Sequence, residues 1–429
     1  FSLHVSDVSF KLAQAALAKG EWPEAGRVRT EEFVNAFQYQ DPTPGMQEKV
    51  GCQIEQAVHP FAHQRNLLRV SMRTAALGRG AGTPLRLTVL LDNSGSMDRA
   101  DRAESVRRAF ALLAAQLNDQ DEVTLISFAR TPRLLRDRVS GAELGDLSGV
   151  VGVLQSEGGT NLEAALQLAI TKAGESYLAE AQNRIILLTD GAANLGNAEP
   201  DTLRAMVERA RDQGIAFDAC GVGADGLNDE ILESLTRKGD GRYYFLDRPE
   251  DADAGFARQI AGALRPAAQN VKVQVEFNPD RVGRYKLYGF EKHELKKEDF
   301  RNDSVDAAEL AAEEAGVAVY QVEARPDGKG PVGTVSVRFR DMSTGQMVER
   351  SWDIPYEAQP ARLEEAVAPV RLAGTAALLA ERLKGTPAGD TVDLGHLAKT
   401  AQGLRSLYPN QERIGHMIEM IEQARRLAD

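Results

Sequence analysis

The stretch LRLTVLLDNSGSM occupies residues 85–97 and decides the interpretation of the whole chain. Its first half is a nearly continuous apolar run, which is typical of a strand buried on both faces of a parallel sheet. The run leads directly into a loop with oxygen-bearing side chains at alternate positions, Asp92, Ser94 and Ser96. The ligand crevice of an open α/β sheet lies at the carboxyl ends of its strands. We therefore expect these three side chains at a ligand-binding edge.

Similar apolar runs alternate with amphipathic segments up to residue 246. Further strands are predicted at 122–128, 184–189, 215–220 and 242–246, with a short extra strand near Leu134. Two helices between the strands carry apolar stripes at helical spacing, namely Val106, Phe110, Leu113 and Leu117 in the first, and Leu162, Ala165, Leu166, Ala169 and Ile170 in the second. Right-handed crossovers then give a doubly wound, Rossmann-like and mostly parallel sheet covered on both faces.

Two more oxygen-bearing side chains lie in loops that this topology places at the same edge of the sheet. Thr160 ends the sequence Gly-Gly-Thr before a helix, and Asp190 lies in Thr-Asp-Gly after a strand. Hard cations such as Mg2+ prefer oxygen ligands at about 2.0–2.1 Å in octahedral geometry. Each piece alone is ordinary turn chemistry. Three loops on one sheet edge instead favour a metal site that contains Asp92, Ser94, Ser96, Thr160 and Asp190.

At these residues the sequence resembles the von Willebrand factor A (VWA) family, whose adhesion site has the pattern D-x-S-x-S, then T, then D. The resemblance implies that Ser94, Ser96 and Thr160 coordinate a divalent cation (Mg2+, Mn2+ or Ca2+), while Asp92 and Asp190 act largely through waters. It also implies an open coordination position that a carboxylate of a partner protein fills. The implied function is metal-dependent protein binding or adhesion without catalysis. Family members couple the metal to movement of the last VWA helix, here expected at 251–264.

The segments outside this block have the alternating pattern of half-solvated strands. Val271, Val273, Val275 and Phe277 alternate with polar residues, and 338–352 indicates a hairpin. The sequence thus predicts a VWA domain inserted in a β-sandwich with flanking N- and C-terminal helices. The predicted parts are a helical arm (1–45, a helix followed by irregular chain), N-terminal sandwich strands (46–80), the VWA domain (81–266), the rest of the sandwich (267–356) and C-terminal helices (357–429, the last of which opens at Pro409).

Three flanking stretches resemble bacterial YfbK-like VWA proteins. They are VRTEEFVNAFQY at 28–39, the segment 59–70, and the segment 285–308, which includes YGFEKHELKKEDF. Proteins of that group typically carry an export signal or a lipid anchor. The resemblance therefore implies a bacterial cell-envelope location, periplasmic or extracytoplasmic, with any such signal upstream of Phe1.

Composition excludes several classes of function. The net charge of -12 argues against a nucleic-acid partner or an anionic membrane surface. Two cysteines, Cys52 and Cys220, cannot build a disulfide framework, and Cys220 is expected as a buried thiol. No apolar run approaches the length of a transmembrane helix.

Two alternatives remain open from the sequence. Gly221, Gly223 and Gly226 spell G-x-G-x-x-G, with Asp247 about twenty residues further, as in a nicotinamide-binding enzyme. The fingerprint belongs on the first strand of its sheet, however, so a tight turn is the better interpretation. The other alternative is a structural scaffold with a vestigial metal site. His59 and His63 are expected to serve packing or surface roles rather than zinc binding, because Pro60 disrupts a helical presentation.

Overall fold

The chain divides into two compact units, one of Phe1–Gly78 with Pro266–Asp429 and one of Arg79–Arg265. The computed structural model describes residues 1–75, 83–143, 149, 151, 156–191, 199–264, 266–305, 307–311 and 314–429. The predicted boundary between the N-terminal sandwich strands and the VWA domain, at residues 80 and 81, lies outside the described residues.

The described residues form the following strands and helices. The strands are β1 Val50–Val58, β2 Asn66–Thr74, β3 Leu85–Asp92, β4 Glu122–Phe128, β5 Pro132–Ser140, β6 Gln182–Thr189, β7 Ile215–Val222, β8 Tyr243–Leu246, β9 Pro266–Phe277, β10 Val282–Tyr288, β11 Ala308–Ala311, β12 Ala315–Ala324, β13 Gly333–Asp341 and β14 Met347–Ile354. The helices are α1 Val8–Ala18, α2 Thr30–Val34, α3 Ala100–Ala114, α4 Leu162–Glu175, α5 Pro200–Asp212, α6 Asp229–Lys238, α7 Ala254–Leu264, α8 Ala368–Lys384, α9 Pro387–Asp390, α10 Leu394–Gln402, α11 Leu404–Leu407 and α12 Glu412–Ala428. Among the described residues, no helix is long and apolar enough to cross a membrane.

The unit Arg79–Arg265 is built on a six-stranded sheet of order β5-β4-β3-β6-β7-β8. All neighbours pair in parallel except β4 and β5, which are antiparallel. The chain runs outward from β3 to β5 and then returns to the other side of β3 at β6. The strand order therefore reverses beside β3, which is where an open α/β sheet forms its ligand crevice.

The apolar stripes expected from the sequence are buried against this sheet. Val106, Phe110 and Leu113 of α3 pack in one cluster with sheet residues such as Val89 and Leu188. Leu162, Ala165, Leu166 and Ala169 of α4 are fully buried. Burial of such side chains contributes roughly 1.5–3 kcal/mol each for the larger ones, so the two helices fix the strands whose ends carry the site.

The other unit contains two four-stranded antiparallel sheets. One has the order β1-β2-β12-β10 and the other the order β11-β9-β13-β14. Strand β2 alternates between two cores: Leu68, Val70 and Met72 join side chains of the second sheet, while Leu67 packs with the helices. The helical cluster draws on α1, α2 and the C-terminal helices, with α8 buried along most of its length.

Two local expectations differ from the structure. The chain after α1 was expected to be irregular, yet α2 forms at Thr30–Val34 with all five residues buried. So short a helix has almost no stability of its own, and its formation depends on packing that local sequence does not reveal. The last helix begins at Glu412, three residues after the Pro409 at which it was expected to open.

Candidate metal centre

The first loop of the predicted site brings two hydroxyl groups together at the end of β3. The backbone N–H of Ser94 donates to Asp92 Oδ1 at 2.9 Å, which folds the chain back after the strand. The following residues form a 3-10 turn at Gly95–Asp98. Ser94 Oγ and Ser96 Oγ then lie 3.1 Å apart. Three of the five predicted ligands are thus assembled by one loop.

Asp92 is held by a residue that the sequence analysis did not single out. Thr189, the last residue of β6, donates its hydroxyl to Asp92 Oδ2 at 2.6 Å. The same hydroxyl accepts the N–H of Gly191 at 2.9 Å, so it ties the first loop to the one with Asp190. Burial raises the pKa of Asp92, and the hydrogen bonds from Ser94 and Thr189 oppose this effect. The only signal in the sequence was a threonine directly before Asp190.

The loop with Thr160 runs beside the first loop. Ser94 forms an isolated parallel bridge with Glu157, whose N–H donates to Asn93 O at 3.0 Å. Gly159 has φ +88°, a conformation that favours glycine. Thr160 itself is half-buried, directly before Asn161, whose side chain caps α4. The described hydrogen bonds therefore bring the backbone of this loop to the Asp92–Ser96 loop, as the topology predicts.

Asp190 is fully buried and forms an ion pair with Arg102, which lies in the first turn of α3. Arg102 Nη1 donates to Asp190 Oδ2 at 2.5 Å and to Ser96 O at 3.1 Å. Arg102 Nη2 donates to Asp225 O at 2.8 Å. One guanidinium therefore connects three loops at the carboxyl edge of the sheet. The sequence gives no signal for this role of Arg102, because an arginine at the start of an amphipathic helix is usually solvent-exposed.

The G-x-G-x-x-G stretch surrounds this arginine. A Cβ at Gly223, which has φ +77°, would lie 3.0 Å from Arg102 Nε. Asp247, the residue at the ribose-binding spacing, accepts the N–H of Ala224 at 3.1 Å. Helix α6 begins only at Asp229, with Asn228 as its cap. The glycines form the tight turn expected from their position in the sheet and leave room for a guanidinium.

The oxygens at this edge fit a hard divalent cation, since they comprise hydroxyls and carboxylates without sulfur or imidazole. Within the described part of the chain, no group of three or more histidine, cysteine, aspartate or glutamate side chains is placed to hold a metal. The candidate ligands include only two carboxylates, Asp92 and Asp190. Most of the oxygen atoms around a cation at this edge would therefore come from hydroxyls or from solvent.

Of the two histidines considered for zinc, His59 has a packing role. Its Nε2 lies 3.2 Å from Tyr288 Oη, and its Nδ1 accepts the N–H of Phe61 at 3.0 Å. Burial lowers its pKa to about 4. Cys220 is buried, as expected, and Cys52 is partly buried.

Family models match three parts of the chain. The von Willebrand factor type A domain matches residues 87–257, the C-terminal region of YfbK matches residues 262–329, and a von Willebrand factor model matches residues 1–69. The first of these runs from within β3 into α7 and so includes every residue of the candidate site.

Individual relatives agree with this assignment. The YfbK protein of Escherichia coli (strain K12) is 30% identical over 73% of this chain and 56% of its own length. The sll0103 protein of Synechocystis sp. is 25% identical over 49% of this chain and 49% of its own length. The chain thus spans about half the length of these relatives.

A solved structure shares the fold. The von Willebrand factor type A protein from Catenulispora acidiphila aligns with a TM-score of 0.54 over 86% of this chain and 89% of its own, at 16% identity. The likeness supports a Rossmann-like sheet with flanking helices. The chain therefore contains a von Willebrand factor type A domain and, over 73% of its length, is similar to YfbK of Escherichia coli.

Proposed function

We propose that the unit Arg79–Arg265 binds a divalent cation through Asp92, Ser94, Ser96, Thr160 and Asp190, and through that cation a carboxylate of a partner protein. VWA domains commonly mediate protein–protein interaction or adhesion, and this role involves no catalysis. The observation that carries the proposal is the pair of hydroxyl oxygens of Ser94 and Ser96, 3.1 Å apart beside a buried carboxylate. Mg2+ is the expected ion, with Mn2+ or Ca2+ as substitutes.

The charge of the site supports an acidic partner. Hydroxyl ligands carry no charge, so a dication held largely by Ser94, Ser96 and Thr160 remains incompletely neutralised and attracts an outside carboxylate. Arg130, an exposed arginine, lies next to Gly159, whose Cβ would be 3.4 Å from the Arg130 Cβ. A cationic side chain beside the Thr160 loop adds to the attraction for an acidic surface.

The remainder of the chain is proposed as a scaffold for this domain. Both four-stranded sheets contribute to one hydrophobic cluster, which supports a β-sandwich into which the VWA domain is inserted. The likeness to YfbK of Escherichia coli supports a bacterial protein, and we propose the cell envelope as its location. The partner is then a protein with an exposed acidic residue rather than a nucleic acid.

The cation can be tested by thermal unfolding with increasing MgCl2, followed by EDTA. We expect Mg2+ to raise the Tm of the wild type, because a ligand at about 100 times its Kd stabilises the folded state by roughly 2.7 kcal/mol. Ser96→Ala is expected to weaken this response, since it removes one hydroxyl without leaving a buried charge. Ser105→Ala is the matched control, because the Ser105 hydroxyl bonds to Asp101 O on α3 and not to the site.

The partner can be tested by capture from native bacterial extract with Mg2+ or EDTA, with the wild type, Ser96→Ala and Ser105→Ala as baits. The expected result is one set of proteins retained by the wild type and Ser105→Ala only with Mg2+. An equal Mg2+ response in wild type and Ser96→Ala, or retention that EDTA does not affect, contradicts the proposal.

A further inference from the structure

Arg102 is more deeply buried than its position on an amphipathic helix suggests. It is 6% exposed, and its Nε has no hydrogen-bond partner among the residues that the structure describes. Burying an arginine with an unsatisfied nitrogen destabilises the folded state unless an opposite charge compensates the guanidinium. That charge faces Asp190, which is itself 0% exposed.

Apart from Asp190, the charged residues next to Arg102 in the sequence and in the fold are exposed rather than buried. Arg99 is the other arginine at the start of α3, and its side chain is 53% exposed. It pairs with Asp101 at 2.8 Å and with Asp225 at 3.5 Å, both of them also exposed. Water screens such a pair, whereas the Arg102–Asp190 pair is shielded from it. Arg102 is therefore the arginine whose charge acts at the centre.

The ion pair changes the charge that a bound cation would meet. Asp92 and Asp190 are the two anionic groups of the proposed site, and even through bridging waters their combined charge would offset much of the charge of a dication. The guanidinium of Arg102 cancels the charge of Asp190 within the protein, so the same dication keeps one positive charge. A cation in that state is held weakly by itself and strongly once an outside carboxylate joins it.

We propose that Arg102 is a positioning residue that neutralises Asp190 and thereby makes cation binding depend on the acidic ligand. The inference rests on the proposed metal site and adds the element that sets its charge. It also explains why the turn after β7 has glycine at position 223, since any side chain there would meet the guanidinium.

The test uses Mn2+ alone as the probe, with the full chain. Its binding to the wild type, Arg102→Gln, Arg102→Lys and Arg99→Gln is measured by calorimetry and by the Mn2+-induced rise in Tm. An opposite charge at hydrogen-bond distance changes the proton affinity of a carboxylate about ten-fold or more. We expect a gain of roughly the same size, about ten-fold, in the Mn2+ affinity of Arg102→Gln, with a larger rise in Tm than the wild type shows.

The other two variants separate charge from packing. Arg102→Lys keeps the charge but loses the three-way hydrogen bonding, so its Mn2+ affinity should remain near that of the wild type. Arg99→Gln removes a charge from the same turn without touching Asp190, and it should also resemble the wild type. If Arg102→Lys and Arg102→Gln change alike, the role of Arg102 is structural and the proposal is overturned.

The remaining outcomes distinguish this inference from the proposed function. Wild-type binding of Mn2+ with no gain in Arg102→Gln overturns the inference and leaves the metal site standing. Absence of Mn2+ binding in every variant overturns both. If Arg102→Gln unfolds without metal because the buried Asp190 loses its ion pair with Arg102, recovery of the folded state by millimolar Mn2+ supports the inference, and failure to recover counts against it.

Discussion

At position 223 a side chain would displace the guanidinium of Arg102. Gly223 and Gly226 both have φ +77°, but a Cβ at Gly226 would meet nothing within 4 Å. Gly226→Ala is therefore expected to lower the free energy of unfolding by about 1 kcal/mol for the backbone alone. Gly223→Ala should add about 1–3 kcal/mol for the steric conflict with Arg102. Urea unfolding of both variants measures the difference, and equal losses would contradict the packing described here.

Glu31 predicts a pH dependence of stability. Burial raises its pKa to about 7, with a further rise from Glu32, although the N–H of Phe290 donates to its carboxyl at 2.9 Å and opposes this. The folded state binds the Glu31 proton more tightly than the unfolded state does. The protonated carboxyl therefore contributes fully to the stability of the folded state below pH 4.5, its ordinary pKa, and this contribution is lost as the pH rises to about 7. The loss is on the order of 2–4 kcal/mol.

Glu31→Gln should remove this dependence while keeping an oxygen acceptor for Phe290. The measurement is the free energy of unfolding of the wild type minus that of the variant, which should fall between pH 4.5 and 7. The comparison cancels other groups, including His59, whose lowered pKa of about 4 contributes stability that is lost as pH falls below 6.5. Glu21→Gln, a change at an exposed carboxyl, is the control. A pH-independent difference for Glu31→Gln would count against the assignment.

At the scale of elements, α4 begins directly after the loop that contains Thr160, and its buried residues pack it against the sheet. The side chain of Asn161 accepts the N–H of Ala164 at 3.0 Å and caps the helix directly after Thr160. Asn161→Ala should lower the free energy of unfolding by about 1 kcal/mol, and Asn161→Asp should retain most of it, because a carboxylate also caps. Chemical denaturation checks both. Equal losses in the two variants would show that the cap is not the source of the stability.

The elements that could be predicted from the sequence are those in which apolar residues form a clear continuous or periodic pattern. The strands of the parallel sheet were placed within a few residues, because continuous apolar runs bounded by turns leave few alternatives. Helix α2 was missed, since Glu31 and Glu32 are polar residues buried by contacts distant in sequence. Thr189 and Arg102 were missed for the same reason: each acts on Asp92 or Asp190 from a different element.

At the scale of the whole molecule, the unit with the two antiparallel sheets has cores of its own. The chain leaves it after β2 and returns at β9, and Ala75 and Ala267 line the same small pocket. Replacing residues 76–265 by a short Gly-Ser linker should therefore leave this unit folded, because the linker only has to connect two chain ends that already lie close together. Circular dichroism with cooperative thermal unfolding tests the prediction.

A deletion that also removes β2 is the matched control. Strand β2 pairs with both β1 and β12, and it contributes side chains to both hydrophobic clusters. Its loss is expected to abolish cooperative unfolding. If the shorter deletion already fails to fold, the unit depends on the excised residues and the prediction is wrong.

The sequence by itself determined the parallel sheet, the edge at which its loops meet and the candidate ligands on those loops. These features follow from hydrophobic period and from the order of strands, which are properties of neighbouring residues. Only the tertiary structure decided that Thr189 holds Asp92 and that Arg102 faces Asp190, because side-chain partners from separate elements meet only when the chain is packed. The charge at the centre is therefore set by the fold, since it depends on burial and distance rather than on residue type alone.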